Sequence, residues 1–156
     1  LIDLAPLMQA AACAVAMRAQ AAAVAIDVEV PDGLVIQGDG YLLRQALNNL
    51  LENALAFSSA DSRLQLSAAR EGDGVVLRVA DRGSGVPDYA LDRVFERFYS
   101  LARPATGLRS SGLGLSFVQE VARLHGGRVQ LRNREGGGAL ASLWLPERDP
   151  VAPIRR

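Results

Sequence analysis

The chain is poor in the residues that build several common kinds of site. Its 156 residues include one cysteine, Cys13, and one histidine, His125. A lone cysteine excludes an internal disulfide and a multi-cysteine metal site. On its alanine-rich stretch Cys13 reads as a small buried hydrophobe. Aromatics make up only 5% of the chain while hydrophobic residues reach 49%, so a core has to be built from Leu, Val, Ile and Ala. The 17 basic and 17 acidic residues leave no net charge, which argues against a nucleic-acid surface. No apolar run approaches the ~20 residues of a membrane span. Residues 10–25 are interrupted by Arg18 and Gln20 and read as a core helix. Repeats, low-complexity tracts, internal linkers and a signal-peptide pattern are all missing. The length suits one domain, and the start at Leu1 without an initiator Met reads as a piece cut from a longer protein.

The patterning that is present predicts a mixed order of elements. A short strand is expected over residues 1–4. A helix follows, with Pro6 in its first turn, running to about Ala22. Residues 24–30 alternate and are rich in β-branched side chains. Pro31-Asp32-Gly33 then turns the chain toward a strand over 34–37. Asp39 is placed to cap a helix in which Leu43, Leu47, Leu50, Ala54 and Leu55 recur at helical spacing. Residues 63–69 and 75–80 alternate like strands around Gly72-Asp73-Gly74. Residues 81–111 form a long Gly-, Ser-, Pro- and Arg-rich connection in which only 91–98 looks helical; such lengths mark lids or disorder. A helix over 113–125 is stopped by Gly126-Gly127. A last hairpin joins 129–132 to 140–145 around Gly136-Gly137-Gly138, and the tail after Pro146 is loose. This order is not a strict βαβ alternation. It favours an α+β sandwich with helices on one face of a mixed sheet.

Four short constellations carry chemistry. Asn49 and Asn53 lie four apart on a helix and share a face. Such a pair is either a solvated polar face or two neutral oxygen ligands of the kind that hold Mg²⁺ beside phosphates and water. Asp81-Arg82-Gly83-Ser84-Gly85 follows an apolar strand. It is either an Asp-Gly turn or an acceptor carboxylate at a cleft mouth, with glycines that allow close backbone approach to a ligand. Gly112-Leu113-Gly114-Leu115 opens a helix, which is either a hinge or an anion site made by free N–H groups and the helix dipole. No Walker A loop and no Gly-x-Gly-x-x-Gly fingerprint is present. In Val94-Phe95-Glu96-Arg97-Phe98-Tyr99, Phe95 and Phe98 are spaced to anchor a short helix to the core.

In their order and spacing these motifs resemble the GHKL superfamily, which includes gyrase, Hsp90, MutL and the histidine kinases. The match is to sensor histidine kinases. Residues 49–53 look like the N box, 81–85 the G1 box, 94–98 the F box and 112–115 the G2 box. His125-Gly126-Gly127 fits a Leu-His-Gly-Gly that kinase catalytic domains often carry. The resemblance runs from about Leu1 to Pro146. The stretch 87–101, together with 110–115, Phe117 and Val118, is most similar to CreC-type kinases, inner-membrane sensors that phosphorylate the response regulator CreB.

The resemblance implies a GHKL (Bergerat) two-layer sandwich over residues 1–147, with an ATP lid at about 82–111 and a tail at 148–156. It implies ATP and Mg²⁺ as ligands, with Asn53 and Asn49 at the metal and phosphates and Asp81 accepting from the adenine amino group. Phe57 takes the place of a residue that often stacks on adenine. Gly83, Gly85, Val86, Phe98, Ser111, Gly112, Leu113, Gly114 and Leu115 complete the ATP contacts. Gyrase and Hsp90 carry a Glu at the position of Asn49, where it activates water. An amide has no useful basicity, so Asn49 points to phosphoryl transfer rather than hydrolysis. Glu52, one position off, lies on another helix face. Ala56 departs from a Lys that touches phosphate in many kinases; Arg97, Arg103 and Arg109 are candidates to supply that charge, with Arg97 and Arg109 preferred. His125 sits at a helix end, where it can meet terminal carbonyls, so it is not the phosphoacceptor. The expected acceptor is a His on a separate dimerisation domain, in a membrane-anchored homodimer whose catalytic part is cytoplasmic. The alternatives are a GHKL ATPase, a protein-serine kinase, or a non-catalytic docking module.

Overall fold

The computed structural model describes residues 1–99 and 114–147. Five strands form the main sheet: β2 (Val24–Glu29), β4 (Ser62–Glu71), β5 (Gly74–Ala80), β6 (Arg128–Asn133) and β7 (Ala139–Pro146). Their order is β2-β4-β5-β7-β6. Only β2 and β4 pair in parallel; the β4–β5, β5–β7 and β6–β7 pairs are antiparallel. A parallel pair needs a crossover connection, and α3 (Gly40–Phe57) lies in it. A second, two-stranded antiparallel sheet joins β1 (Ile2–Asp3) to β3 (Val35–Ile36).

The helices cover one face of the main sheet. Leu64, Leu66, Val75, Leu77, Val79, Leu143 and Leu145 project from the strands into a core shared with Leu43, Leu47, Leu50 and Leu51 of α3. Leu4, Met8 and Ala11 of α1 (Leu4–Ala14) and Val118, Val121 and Ala122 of α5 (Gly114–Leu124) complete it. The chain therefore adopts the expected α+β two-layer sandwich on a mixed sheet. The opposite sheet face carries Trp144, whose indole Nε1 donates to the Glu71 carbonyl at 3.0 Å and whose ring lies 4.5 Å beneath the Arg128 guanidinium.

Three expectations need correction. The N-terminal helix starts earlier than expected and is broken. Asp3 caps α1 by accepting from the Ala5 N–H at 3.2 Å. The chain then leaves helical geometry at Val15 and resumes as α2 (Ala16–Ala21). Val15 and Ala19 are both buried, and they continue at i+4 spacing the stripe of Leu4, Met8 and Ala11, so the break leaves the buried face in line. Cys13 is exposed rather than buried. The buried stripe of α1 runs through Leu4, Met8 and Ala11, and two residues beyond Ala11 a helix has turned roughly 200°. Finally, the helix expected over 91–98 is only α4 (Asp88–Leu91). Beyond it the Arg93, Glu96 and Tyr99 N–H groups each donate to the carbonyl three residues back. Val94 is buried and Phe95 packs on the core. Phe98 is 69% exposed, at φ 68°, and does not anchor the segment.

The caps behave as their residue types dictate. Asp39 caps α3 by accepting from the Leu42 N–H at 3.1 Å. At the end of α5 the Gly127 N–H donates to Ala122 O and the Gly126 N–H to Arg123 O, with Gly126 at φ 73°. This is the Schellman arrangement that only a residue tolerant of left-handed geometry closes cheaply. Among the described residues no helix is long and apolar enough to cross a membrane. The tail at 148–156 lies outside the described residues.

Leu47, fully buried, should matter far more than the exposed ion pair between Arg18 and Glu52. Leu47→Ala is expected to destabilise by about 3 kcal/mol. Arg18→Ala should cost under ~1 kcal/mol. Urea unfolding of the two variants checks the contrast.

Candidate functional site

The described part of the site forms where the loop after β5 meets the end of α3. β5 is apolar and buried along nearly its whole length, and it delivers Asp81 to the sheet's end as a carboxylate only 5% exposed. A buried polar group is costly unless hydrogen-bonded. Oδ1 accepts from the Gly83 N–H at 2.9 Å and from the Ala139 N–H at 3.0 Å. No described residue donates to Oδ2. One oxygen is thus committed to the backbone, and the other is left as an acceptor for an external donor.

The loop after Asp81 is held against α3. The Ser84 N–H donates to the Phe57 carbonyl at 3.3 Å, and a Cβ at Gly83 would overlap that same carbonyl oxygen. Glycine is required there by close backbone approach rather than by φ. Phe57 itself is half-buried at the end of α3. Gly85 has φ 73°, and a Cβ there would stand 2.8 Å from Asn133 Oδ1.

Asn49 and Asn53 are both half-buried on α3. A Cβ at Gly114, the first residue of α5, would lie 4.0 Å from Asn49 Cβ and Cγ. Asn49 therefore lies beside the start of α5. The neighbouring side of α3 points elsewhere: Glu52 pairs with Arg18 of α2, and Asn48 Oδ1 is buried without a hydrogen-bond partner among the described residues. Ala56 is half-buried on the same helix, and Leu115 packs partly into the core.

Not every expected residue is brought to this site by a described contact. The Arg97 guanidinium lies over the Phe98 ring, 5.5 Å from its centroid. Arg103, Arg109, Ser111, Gly112 and Leu113, and the lid from residue 100 on, lie outside the described residues. His125 has a structural task. Its Nδ1 is 2.8 Å from the Val121 carbonyl, and its Nε2 accepts from the Asp39 N–H at 3.0 Å. That pattern fits a neutral ring with the proton on Nδ1. It ties the end of α5 to the cap of α3, and a Cβ at Gly38 would meet the ring at 2.6 Å.

Three residues of the β6–β7 hairpin were missed by sequence reasoning. Asn133 accepts from the Val86 N–H and donates to the Val86 carbonyl, both at 2.7 Å. Arg134 Nη1 donates to the Asp81 carbonyl at 3.0 Å. Gly138 has φ 88°, and a Cβ there would overlap the Asp81 carbonyl oxygen. The only available signal was the glycine run itself, which marks a turn but not what the turn touches. On the surface of α5, hydrogen bonding to Arg123 lowers the Glu120 carboxyl below its ordinary value and raises the Arg123 guanidinium.

A helix layer packs on a mixed sheet, with a backbone-anchored carboxylate at the sheet's end. Residues 38–149 match the family described as histidine kinase-, DNA gyrase B- and HSP90-like ATPase. The chain belongs to that family and is an ATP-binding catalytic domain of the histidine-kinase type. It is 55% identical over 115 residues to the sensor protein CreC of Escherichia coli, covering 74% of this chain and 24% of CreC. It thus spans about a quarter of that relative. Among solved structures it is similar to the mycobacterial sensor histidine kinase MprB, with a TM-score of 0.81 and 26% identity over 94% of this chain and 96% of that one. Full-length ShkA, in complex with AMPPNP, gives a TM-score of 0.80 at 33% identity over 99% of this chain and 32% of ShkA.

Gly138 and Gly33 both hold positive φ, but a Cβ at Gly33 meets nothing within 4 Å. Gly33→Ala should therefore cost about 1 kcal/mol from backbone strain alone. Gly138→Ala should cost at least ~1 kcal/mol more because the Asp81 carbonyl must also move. Denaturant midpoints of the two variants measure the difference.

Proposed function

We propose that this domain transfers the γ-phosphoryl group of ATP to a histidine on a dimerisation domain outside the chain, for relay to a response-regulator aspartate. The observation that carries the reading is the Asp81 carboxylate. Its Oδ1 is held by two backbone N–H groups, and no described residue donates to its Oδ2. That is an acceptor for an exocyclic amine, and adenine has one where guanine has a carbonyl. ShkA, similar in fold, is known in complex with AMPPNP.

The rest of the proposed site is arranged around that anchor. Gly83, Gly85 and Val86 line the base, with Phe57 at the end of α3 beside them. Phe98 and the residues 111–115 extend the contacts toward the phosphates. Asn53 and Asn49 fit a magnesium ion held partly by phosphate and water. The described residues hold no cluster of three or more His, Cys, Asp or Glu, and amide oxygens suit a hard cation that keeps its waters. When bound, that ion neutralises phosphate charge. Arg97 and Arg109 are the proposed side-chain cations, standing in for the charge missing at Ala56. Phosphoryl transfer chiefly needs positioning and charge stabilisation. Asn49 lacks the basicity to activate water, so the domain holds its donor without hydrolysing it. The unit is residues 1–147 with a lid at about 82–111. The whole protein is a membrane-anchored homodimer with this domain on the cytoplasmic side, acting on a CreB-like regulator.

Asp81→Asn is the decisive variant. The amide has one oxygen, which the backbone donors require, and its NH₂ then faces the adenine amine. ATP affinity should fall by about tenfold or more, read by calorimetric titration with and without Mg²⁺. Unchanged affinity would refute the assignment. The chain alone, incubated with radiolabelled ATP, should acquire little label and release little phosphate; steady Mg²⁺-dependent turnover would instead mark an ATPase.

A further inference from the structure

The orientation of the Asp81 carboxylate is not set by β5 alone. Asp81 faces Ala139 one step beyond the Ala80–Leu140 rung. In an antiparallel ladder such a pair can exchange two main-chain hydrogen bonds. Only one of them forms: the Asp81 N–H donates to Ala139 O at 3.0 Å. The Ala139 N–H donates to Asp81 Oδ1 instead, at 3.0 Å. The side chain has taken the rung that its own carbonyl would have accepted.

The displaced carbonyl is caught from the hairpin. It accepts from Arg134 Nη1 at 3.0 Å, in the space that the missing Cβ of Gly138 leaves open. Arg134 is fixed there because its own N–H donates to Gly138 O at 2.9 Å. The preceding residue, Asn133, holds both polar groups of the Val86 backbone at 2.7 Å. Two adjacent hairpin residues thus grip the two ends of the segment from Asp81 to Val86.

We infer that Arg134 and Asn133 are positioning residues for base selectivity. Arg134 draws the Asp81 carbonyl out of the ladder, so that the carboxylate is pinned by Oδ1 and presents Oδ2. Asn133 fixes the far end of the loop, so that the presented oxygen keeps one direction. The inference rests on Asp81 being the acceptor for the base.

The test is titration of the full chain with ATP and with ITP, which carries a carbonyl in place of the adenine amine. The unsubstituted chain should favour ATP by about tenfold or more, the worth of a hydrogen bond to a charged acceptor. Arg134→Ala and Asn133→Ala should lower that ratio toward unity. Arg134→Lys should keep it, because a single N–H is used and an ammonium can supply one. Asn133→Asp, nearly isosteric, replaces the donor to the Val86 carbonyl with an oxygen. It should also lower the ratio, and it serves if Arg134→Ala fails to fold. If the variants bind both nucleotides less tightly at an unchanged ratio, the hairpin is merely structural and the inference is wrong. No preference in the unsubstituted chain would instead overturn the reading of Asp81 itself.

Discussion

The Asp81 carboxylate, accepting from Ala139 in place of its own main-chain carbonyl, is the contact on which the site's geometry depends. A carboxylate at the end of a buried strand needs its hydrogen bonds made. Making two of them with Oδ1 constrains everything nearby. Gly83 has to bring its N–H close, which presses the loop against the Phe57 carbonyl. Gly138 has to lack a side chain, because the displaced carbonyl occupies that space. Arg134 has to reach that carbonyl. One side-chain substitution within a ladder thus links the sheet, the C-terminal end of α3 and the β6–β7 hairpin. Among the described residues it also leaves Oδ2 without a donor.

α3 serves two tasks with its two faces. Leu43, Leu47, Leu50, Leu51 and Ala54 lie against the sheet and its flanking helices. Their burial fixes the rotation of the helix, and that rotation sets Asn49 beside the start of α5. α5 is referenced to α3 at both ends, by Gly114 against Asn49 and by His125 bonded to the Asp39 N–H. The single histidine therefore contributes by fixing a helix end.

Much of the architecture was legible because it rests on near neighbours. Period-two burial in β4 and β7, helical spacing in α3, the Asp39 cap and the Gly126 stop all depend on residues within a turn or two. Other readings failed. Helix-favouring residues 10–22 break at Val15, although Val15 and Ala19 stay buried on the same stripe as Ala11; the structure gives no reason for that break. Residues 92–99 carry a helical apolar spacing, yet only Val94 and Phe95 find a surface to pack on, and the segment settles into successive turns. Cys13 was judged by composition, whereas its position on the helix placed it off the buried stripe.

By itself the sequence determined the order of the four boxes, the family they belong to, and the amide pair at Asn49 and Asn53. Those are statements about residue type at short spacing. Only the tertiary structure decided that Asn133 and Arg134 would meet Val86 and Asp81, partners 47 and 53 residues away along the chain. Nothing local in Asn133-Arg134-Glu135-Gly136 encodes that meeting. It follows from β6 pairing with β7 and β7 with β5, which places the hairpin turn beside the end of β5. Residues at a sheet's end acquire partners from the strand order, and strand order arises from how the whole core packs.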